Sequence, residues 1–175
     1  YESNAKLYHD MWNHFLLIQK YLEKGQIAEA QKYLLKLIGN HTEYMIEVRT
    51  GIEAVDYILS QKEKWASEKG IDMSIHAEYP KNCRIDPVDL CTILTNLLDN
   101  AIEACERCSP EIERKIKLTI RRIHQFIIIK IENSSSTTPT IRNEKMMTTK
   151  INKSMHGWGI QNVKSAVEKY HGVME

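Results

Sequence analysis

Leu94-Thr95-Asn96-Leu97-Leu98-Asp99-Asn100-Ala101-Ile102-Glu103-Ala104 decides how this chain is read. At ~100° per residue, Leu94, Leu97, Leu98, Ala101, Ile102 and Cys105 form the apolar stripe of an amphipathic helix. Asn96, Asn100 and Glu103 fall in a narrow arc on the other side. A solvated helix face ordinarily carries Lys, Glu and Arg, whose long chains favour helix. Asparagine disfavours it, because its amide competes for backbone hydrogen bonds. Two asparagines one turn apart suggest a task that needs short, neutral oxygen ligands, and magnesium beside a nucleotide phosphate is such a task. A surface helix with two incidental asparagines has the same spacing, so the rest of the chain must separate the two.

The 175 residues suffice for one large domain or two small ones. A hydrophobic fraction of 42% and a charged fraction of 27% are ordinary for a globular protein. The net charge of +1 gives no ground for nucleic-acid binding, which needs a basic surface. No apolar run approaches the ~20 residues of a membrane span, and no signal peptide opens the chain. The first residues already lie inside a helical pattern, so a fragment of something longer is expected. Of the cysteines Cys83, Cys91, Cys105 and Cys108, the last two form a lone C-x-x-C. A zinc site needs two more ligands at matching spacing, so reduced thiols in a cytoplasmic protein are expected.

Outward from the asparagines, two regions separate. Residues 1–24 read as a helix, with Leu7, Met11, Phe15, Ile18 and Leu22 on one face, and Gly25 breaks it. Residues 26–67 read as a second, long helix in near-heptad rhythm, interrupted by Gly39 and Gly51. Two such helices make an antiparallel hairpin over 1–67, and a second copy would complete its seam as a dimeric four-helix bundle. A different region covers 71–175. Ile71 to Tyr79 reads as a strand, and Asp86-Pro87 as the start of the asparagine helix. Lys115–Arg122 and Gln125–Glu132 read as paired strands. Ser134–Lys153 reads as a long polar loop, and Gly157-Trp158-Gly159 leads into a last helix ending before Gly172. The fold class is α+β: a helical hairpin followed by an α/β sandwich.

The first helix concentrates reactive groups in Tyr8-His9-Asp10-Met11-Trp12-Asn13-His14. His9 lies ~160° from the centre of the apolar stripe, and Asn13 shares its outward face. An exposed neutral imidazole is a competent nucleophile, and a neighbouring carboxylate can orient the ring or take up its proton. Asn13, one turn on, could position a water for hydrolysis. A plain surface histidine is the competing reading.

Together these pieces resemble the catalytic core of a bacterial sensor histidine kinase, most closely the peptide-quorum-sensing subfamily. YHDMWNH at 8–14 resembles the histidine box. LTNLLDNAIEAC at 94–105 resembles the N box of the GHKL-type ATP-binding fold shared with gyrase and the heat-shock chaperones. IENS at 131–134, TTK at 148–150 and HGWGIQNV at 156–163 resemble its glycine-box and lid elements. The resemblance implies an ATP-dependent kinase that phosphorylates His9 and passes the phosphoryl group to an aspartate of a response regulator. It implies Asp10 as acid–base partner and Asn13 as phosphatase candidate. It further implies Asn100 as the Mg2+ ligand with Asn96 in support, and Asn133 at the adenine. Thr149 and Lys150 (or Lys153) would serve on the lid. Gly157 and Gly159 would let the backbone approach the phosphates at a helix N-terminus, a place that favours anions. ATP and Mg2+ are the implied cofactors. The implied partners are a second copy of the chain and the regulator, with membrane attachment only through an upstream sensor region.

Three departures from the pattern stand out. Asn133 occupies the place of the usual adenine-binding aspartate, and an amide oxygen still accepts that hydrogen bond. Glu103 stands where many kinases carry a lysine. The chain stops at Glu175, where this fold ordinarily adds closing strands, so an incomplete C-terminus is expected. ATPases of the superfamily place a water-activating glutamate where this chain has Asn96, which favours a kinase over a hydrolase. A non-catalytic docking scaffold with a degenerate nucleotide fold stays open as the alternative.

Overall fold

Gly25 and Gly70 end two helices in the same way. Each adopts a left-handed φ, 68° and 67° respectively. Gly25 N–H bonds to Leu22 O and Gln26 N–H to Tyr21 O, while Gly70 N–H bonds to Ser67 O and Ile71 N–H to Ala66 O. This pattern satisfies the last carbonyls of a helix and needs a residue without a Cβ penalty. At the second site Ile71 and Ala66 are both buried, so the cap also seals the core.

The computed structural model describes residues 2–38, 49–78, 84–136, 141–142, 145–146 and 158–174. The chain divides into two compact units, Tyr1–Met45 and Ile46–Glu175. In the first unit, helix α1 (Glu2–Glu23) and helix α2 (Ile27–Ile38) fold back on each other. His14 Nδ1 meets the Tyr33 hydroxyl at 2.7 Å, and the Tyr21 and Tyr33 rings pack beside this contact.

The second unit begins before helix α3 (Glu53–Glu68). The single helix expected over 26–67 is broken: among the described residues α2 and α3 are separate, residues 49–52 are not helical, and α3 belongs with the sheet. The boundary expected at 67–71 falls instead after Met45. The entry to α3 is built around Asp56, which is 2% exposed. Thr50 donates through its N–H and its hydroxyl to Asp56 Oδ1 at 2.8 and 2.7 Å, and Gly51 N–H donates to Oδ2 at 3.1 Å. A carboxylate in the first turn also complements the helix dipole. The buried side of α3 (Val55, Leu59 and Ala66) joins the core under the sheet. An apolar stripe records that one face is buried but not against what, so the heptad rhythm did not distinguish a bundle from a sandwich.

Strand β1 (Asp72–Ala77) pairs in parallel with β2 (Lys115–Ile123), which pairs antiparallel with β3 (Phe126–Asn133). Along β2, Ile116, Leu118 and Ile120 are buried while Lys115 and Lys117 are exposed, so one sheet face is covered. Helix α4 (Pro87–Glu106) supplies most of the cover, with Leu90, Leu94, Leu98, Ala101, Ile102 and Cys105 in the core. Its start is as expected: Asp86 accepts from Val88 N–H at 2.8 Å, and Pro87 sits at the first helical position. α3 and helix α5 (Trp158–Glu168) both pack on α4. Val163 and Ala166 of α5 join Ile93, Leu97 and Ile129 in a second cluster. Among the described residues this makes an α/β layer of three helices on a three-stranded sheet. A short ladder, β4 (Ile141–Arg142) with β5 (Lys145–Met146), lies within the expected loop region. Apart from residues 134–136, the remainder of that loop, including Thr149, Lys150 and Lys153, falls outside the described residues, as does Gly157.

Candidate functional site

α4 carries the two asparagines on a flank rather than on a fully solvated face. Asn96 and Asn100 are both half-buried, and α5 packs on α4 with its start beside Asn96. Asn96 Nδ2 donates to Thr92 O at 2.8 Å. Its Oδ1 lies only 2.9 Å from where a Cβ on Gly159 would stand. Gly159 is the second residue of α5, so the start of that helix presses against the first asparagine. The structure thus brings Asn96 and Gly159 together and gives Gly159 a steric reason to be glycine. Asn100 lies one turn further along the same face.

Asn133 ends β3 opposite Ile116 of β2. Its Nδ2 donates to Ser134 O at 2.9 Å, which turns the amide by its nitrogen and gives its oxygen the accepting role. Ser134 anchors this corner: its hydroxyl donates to Glu113 O at 2.7 Å and accepts from Lys115 N–H at 3.0 Å. Cys105 lies beneath, its sulfur 3.5 Å from both Lys115 O and Ser134 O. Burial pushes the Cys105 thiol up, so it stays protonated. Cys91, Cys105 and Cys108 are free, in keeping with the expected reduced thiols, and Cys83 lies outside the described residues.

A clasp that the sequence does not advertise holds α5 in place. Lys169 Nζ and the Tyr170 hydroxyl both donate to Asp89 Oδ2, and Tyr170 also accepts from Asp86 N–H at 2.9 Å. These donors hold the Asp89 carboxyl below its ordinary value, the Lys169 bond contributing most. On the opposite side of α4, Lys62 of α3 pairs with Asp99, and Lys69 with Glu106. Both ammonium groups also lie over the Trp65 ring, at 4.9 and 5.0 Å. Asp99, although adjacent to Asn100, is thereby committed to α3. No local pattern signals contacts between residues 37 or 80 positions apart.

The donor chemistry suits a nucleotide-borne magnesium ion. Mg2+ takes oxygen ligands, keeps several waters and is ordinarily held by one or two protein groups plus phosphates. The Asn100 amide offers an oxygen donor of that kind from a half-buried helix flank. Among the described residues no group of three His, Cys, Asp or Glu side chains is placed to hold a metal ion.

In the first unit, His9, Asp10 and Asn13 are exposed on α1. His9 Nδ1 lies 3.5 Å from Asp10 Oδ1 and 3.3 Å from Asn13 Nδ2. The expected exposed trio is thus formed around one ring nitrogen. The sequence profile of the family described as "GHKL domain" matches residues 85–175, more than half of the chain. No curated protein matches the chain.

Proposed function

Because the chain belongs to the GHKL family, whose members are ATP-dependent phosphotransferases or ATPases, we propose that it is a sensor histidine kinase of a two-component system. In this reading the kinase moves the γ-phosphoryl group of ATP to His9 and then to a response-regulator aspartate. The observation that carries the choice is the exposed His9 with Asp10 and Asn13 around Nδ1, on a hairpin in the same chain as a GHKL domain. Asn96 supports it from the other side. It is a neutral amide bonded to Thr92 O, and neither its chemistry nor its commitment suits a general base for water.

Asn100 would hold Mg2+, which neutralises phosphate charge when bound. Asn133 Oδ1 would accept from the adenine amino group, and Lys150 or Lys153 would supply positive charge from the lid. Asp10 would take the Nδ1 proton while Nε2 attacks, so that catalysis is largely positioning. Asn13 remains the phosphatase candidate towards the regulator.

The proposal includes a homodimer. Trp12, Phe15, Leu22, Ile27 and Leu35 of α1 and its neighbour α2 are all exposed, Trp12 at 62%. Apolar side chains at this density on a two-helix unit are what a second copy would cover as a four-helix bundle. A cytoplasmic location beneath an upstream membrane sensor, and a quorum-sensing peptide as signal, belong to the same proposal.

The test is incubation with labelled ATP and Mg2+. Acid-labile label on the wild type, absent from His9→Gln, is expected; label that survives His9→Gln refutes the proposal. Calorimetry separates the scaffold alternative. Magnesium-dependent binding of an ATP analogue that is lost in Asn100→Asp excludes a degenerate nucleotide fold, whereas no binding by the wild type supports it. Steady ATP turnover without protein labelling would point to an ATPase.

A further inference from the structure

Asp10 and Asn13 meet the same atom of His9 with incompatible demands. A carboxylate only accepts, so a bond from His9 to Asp10 needs a proton on Nδ1. The Nδ2 of Asn13 only donates, so its bond needs the Nδ1 lone pair. A neutral imidazole carries one proton, on one nitrogen or the other. Asp10 therefore selects the ring whose Nε2 lone pair is free to attack. Asn13 selects the ring in which Nε2 already carries a substituent, whether a proton or a phosphoryl group.

We propose that Asn13 is a positioning residue for His9 that alternates with Asp10 at Nδ1. It holds the Nε2–H tautomer before transfer and clasps Nδ1 of the Nε2-phosphorylated ring afterwards. This deepens the reading of His9 as phosphoryl acceptor and rests on it. In the transfer, the Nε2 lone pair forms the N–P bond and the bond from Pγ to the bridging oxygen of ADP breaks. The Nδ1 proton passes to the Asp10 carboxylate and from there to water. The ring is then neutral with a lone pair on Nδ1, the state to which Asn13 Nδ2 donates. Reprotonation at Nδ1 makes imidazole a better leaving group, and a donor already seated there opposes it. Asn13 thus slows loading of the unmodified ring and prolongs the phosphorylated one.

The experiment reads the ring directly. Long-range 1H–15N correlation spectra of the 15N-labelled full chain are recorded at about pH 8, where an ordinary histidine is neutral. His9 is assigned by its loss in His9→Gln. The wild type should show mostly Nε2–H. Asn13→Ala should move the tautomer ratio towards Nδ1–H by roughly two- to tenfold, the span of one hydrogen bond. Asn13→Asp, which offers only an acceptor, should move it further the same way. With labelled ATP, Asn13→Ala should load faster and lose label faster by similar factors. A majority of Nδ1–H in the wild type, or an unchanged ratio in both variants, overturns the proposal. A shifted ratio with an unchanged label lifetime overturns the clasp on the phosphorylated ring. The ring spectrum needs no nucleotide, so failure of the kinase reading is seen separately, as absence of label on the wild type.

Discussion

Gly159→Ala tests whether the start of α5 is pressed against the first asparagine. The new Cβ would stand 2.9 Å from Asn96 Oδ1, closer than such atoms tolerate, with Asn96 Cγ at 3.7 Å and Cβ at 3.9 Å. The asparagine can yield only by rotating, which breaks its 2.8 Å bond to Thr92 O in a half-buried position. Overpacking costs about 1–3 kcal/mol, and the lost hydrogen bond about 1 kcal/mol of that. Alanine gains up to about 1 kcal/mol of helix propensity over glycine, less near a helix start. The single substitution should therefore destabilise by about 1–2 kcal/mol. In an Asn96→Ala background the clashing oxygen is gone and a Cβ at ordinary contact distance replaces it. There Gly159→Ala should be neutral or stabilising by up to about 1 kcal/mol. Urea unfolding followed by circular dichroism across the four chains of this double-mutant cycle gives the coupling, expected at about 1–3 kcal/mol. An equal effect of Gly159→Ala in both backgrounds would refute the contact. The same substitution should weaken ATP-analogue binding in the wild-type background, because it displaces Asn96 one turn from Asn100.

Asp56→Ala strands the Thr50 hydroxyl and the N–H groups of Thr50 and Gly51 at a buried helix entry, and should lower the urea unfolding free energy by about 3 kcal/mol; a loss under about 1 kcal/mol would contradict the structural role. Asp89 has a folded value below its ordinary 3.8, so its clasp is fully present above that value and is lost as pH falls through the lower folded value. Asp89→Asn should consequently flatten the acid limb of stability below about pH 4, and because the same bond raises Lys169 it should also flatten the alkaline limb, where the wild type loses that contribution as pH rises through the Lys169 value; a pH series of thermal midpoints with acid limbs parallel in the two chains would count against the clasp.

Much of the second unit was legible because its signals are local. Alternating Ile116, Leu118 and Ile120 marked β2, Asp86-Pro87 marked the start of α4, and the stripe from Leu94 to Cys105 marked its buried face. Each is set by side chains within one element, so spacing suffices. The misreading of α3 has the opposite origin. Val55 and Leu59 repeat at helical spacing whether they face a partner helix or a sheet, and only packing against Met73, Leu90 and Leu118 chooses. The trio on α1 was legible for the same local reason as the strands, since residues one and four positions apart share a helix face.

The type of β1 to β3, α1 and α4, the outward His9 with Asp10 and Asn13, and the paired asparagines of α4 were determined by the sequence alone. They depend on backbone periodicity and on the donors each side chain carries. Only the tertiary structure decided that α3 serves the sandwich, that Asp99 belongs to Lys62, and that Asn96 turns its oxygen towards Gly159. Those outcomes depend on which surfaces meet across tens of residues, and the free energy of meeting is a property of shape and burial that no spacing along the chain encodes.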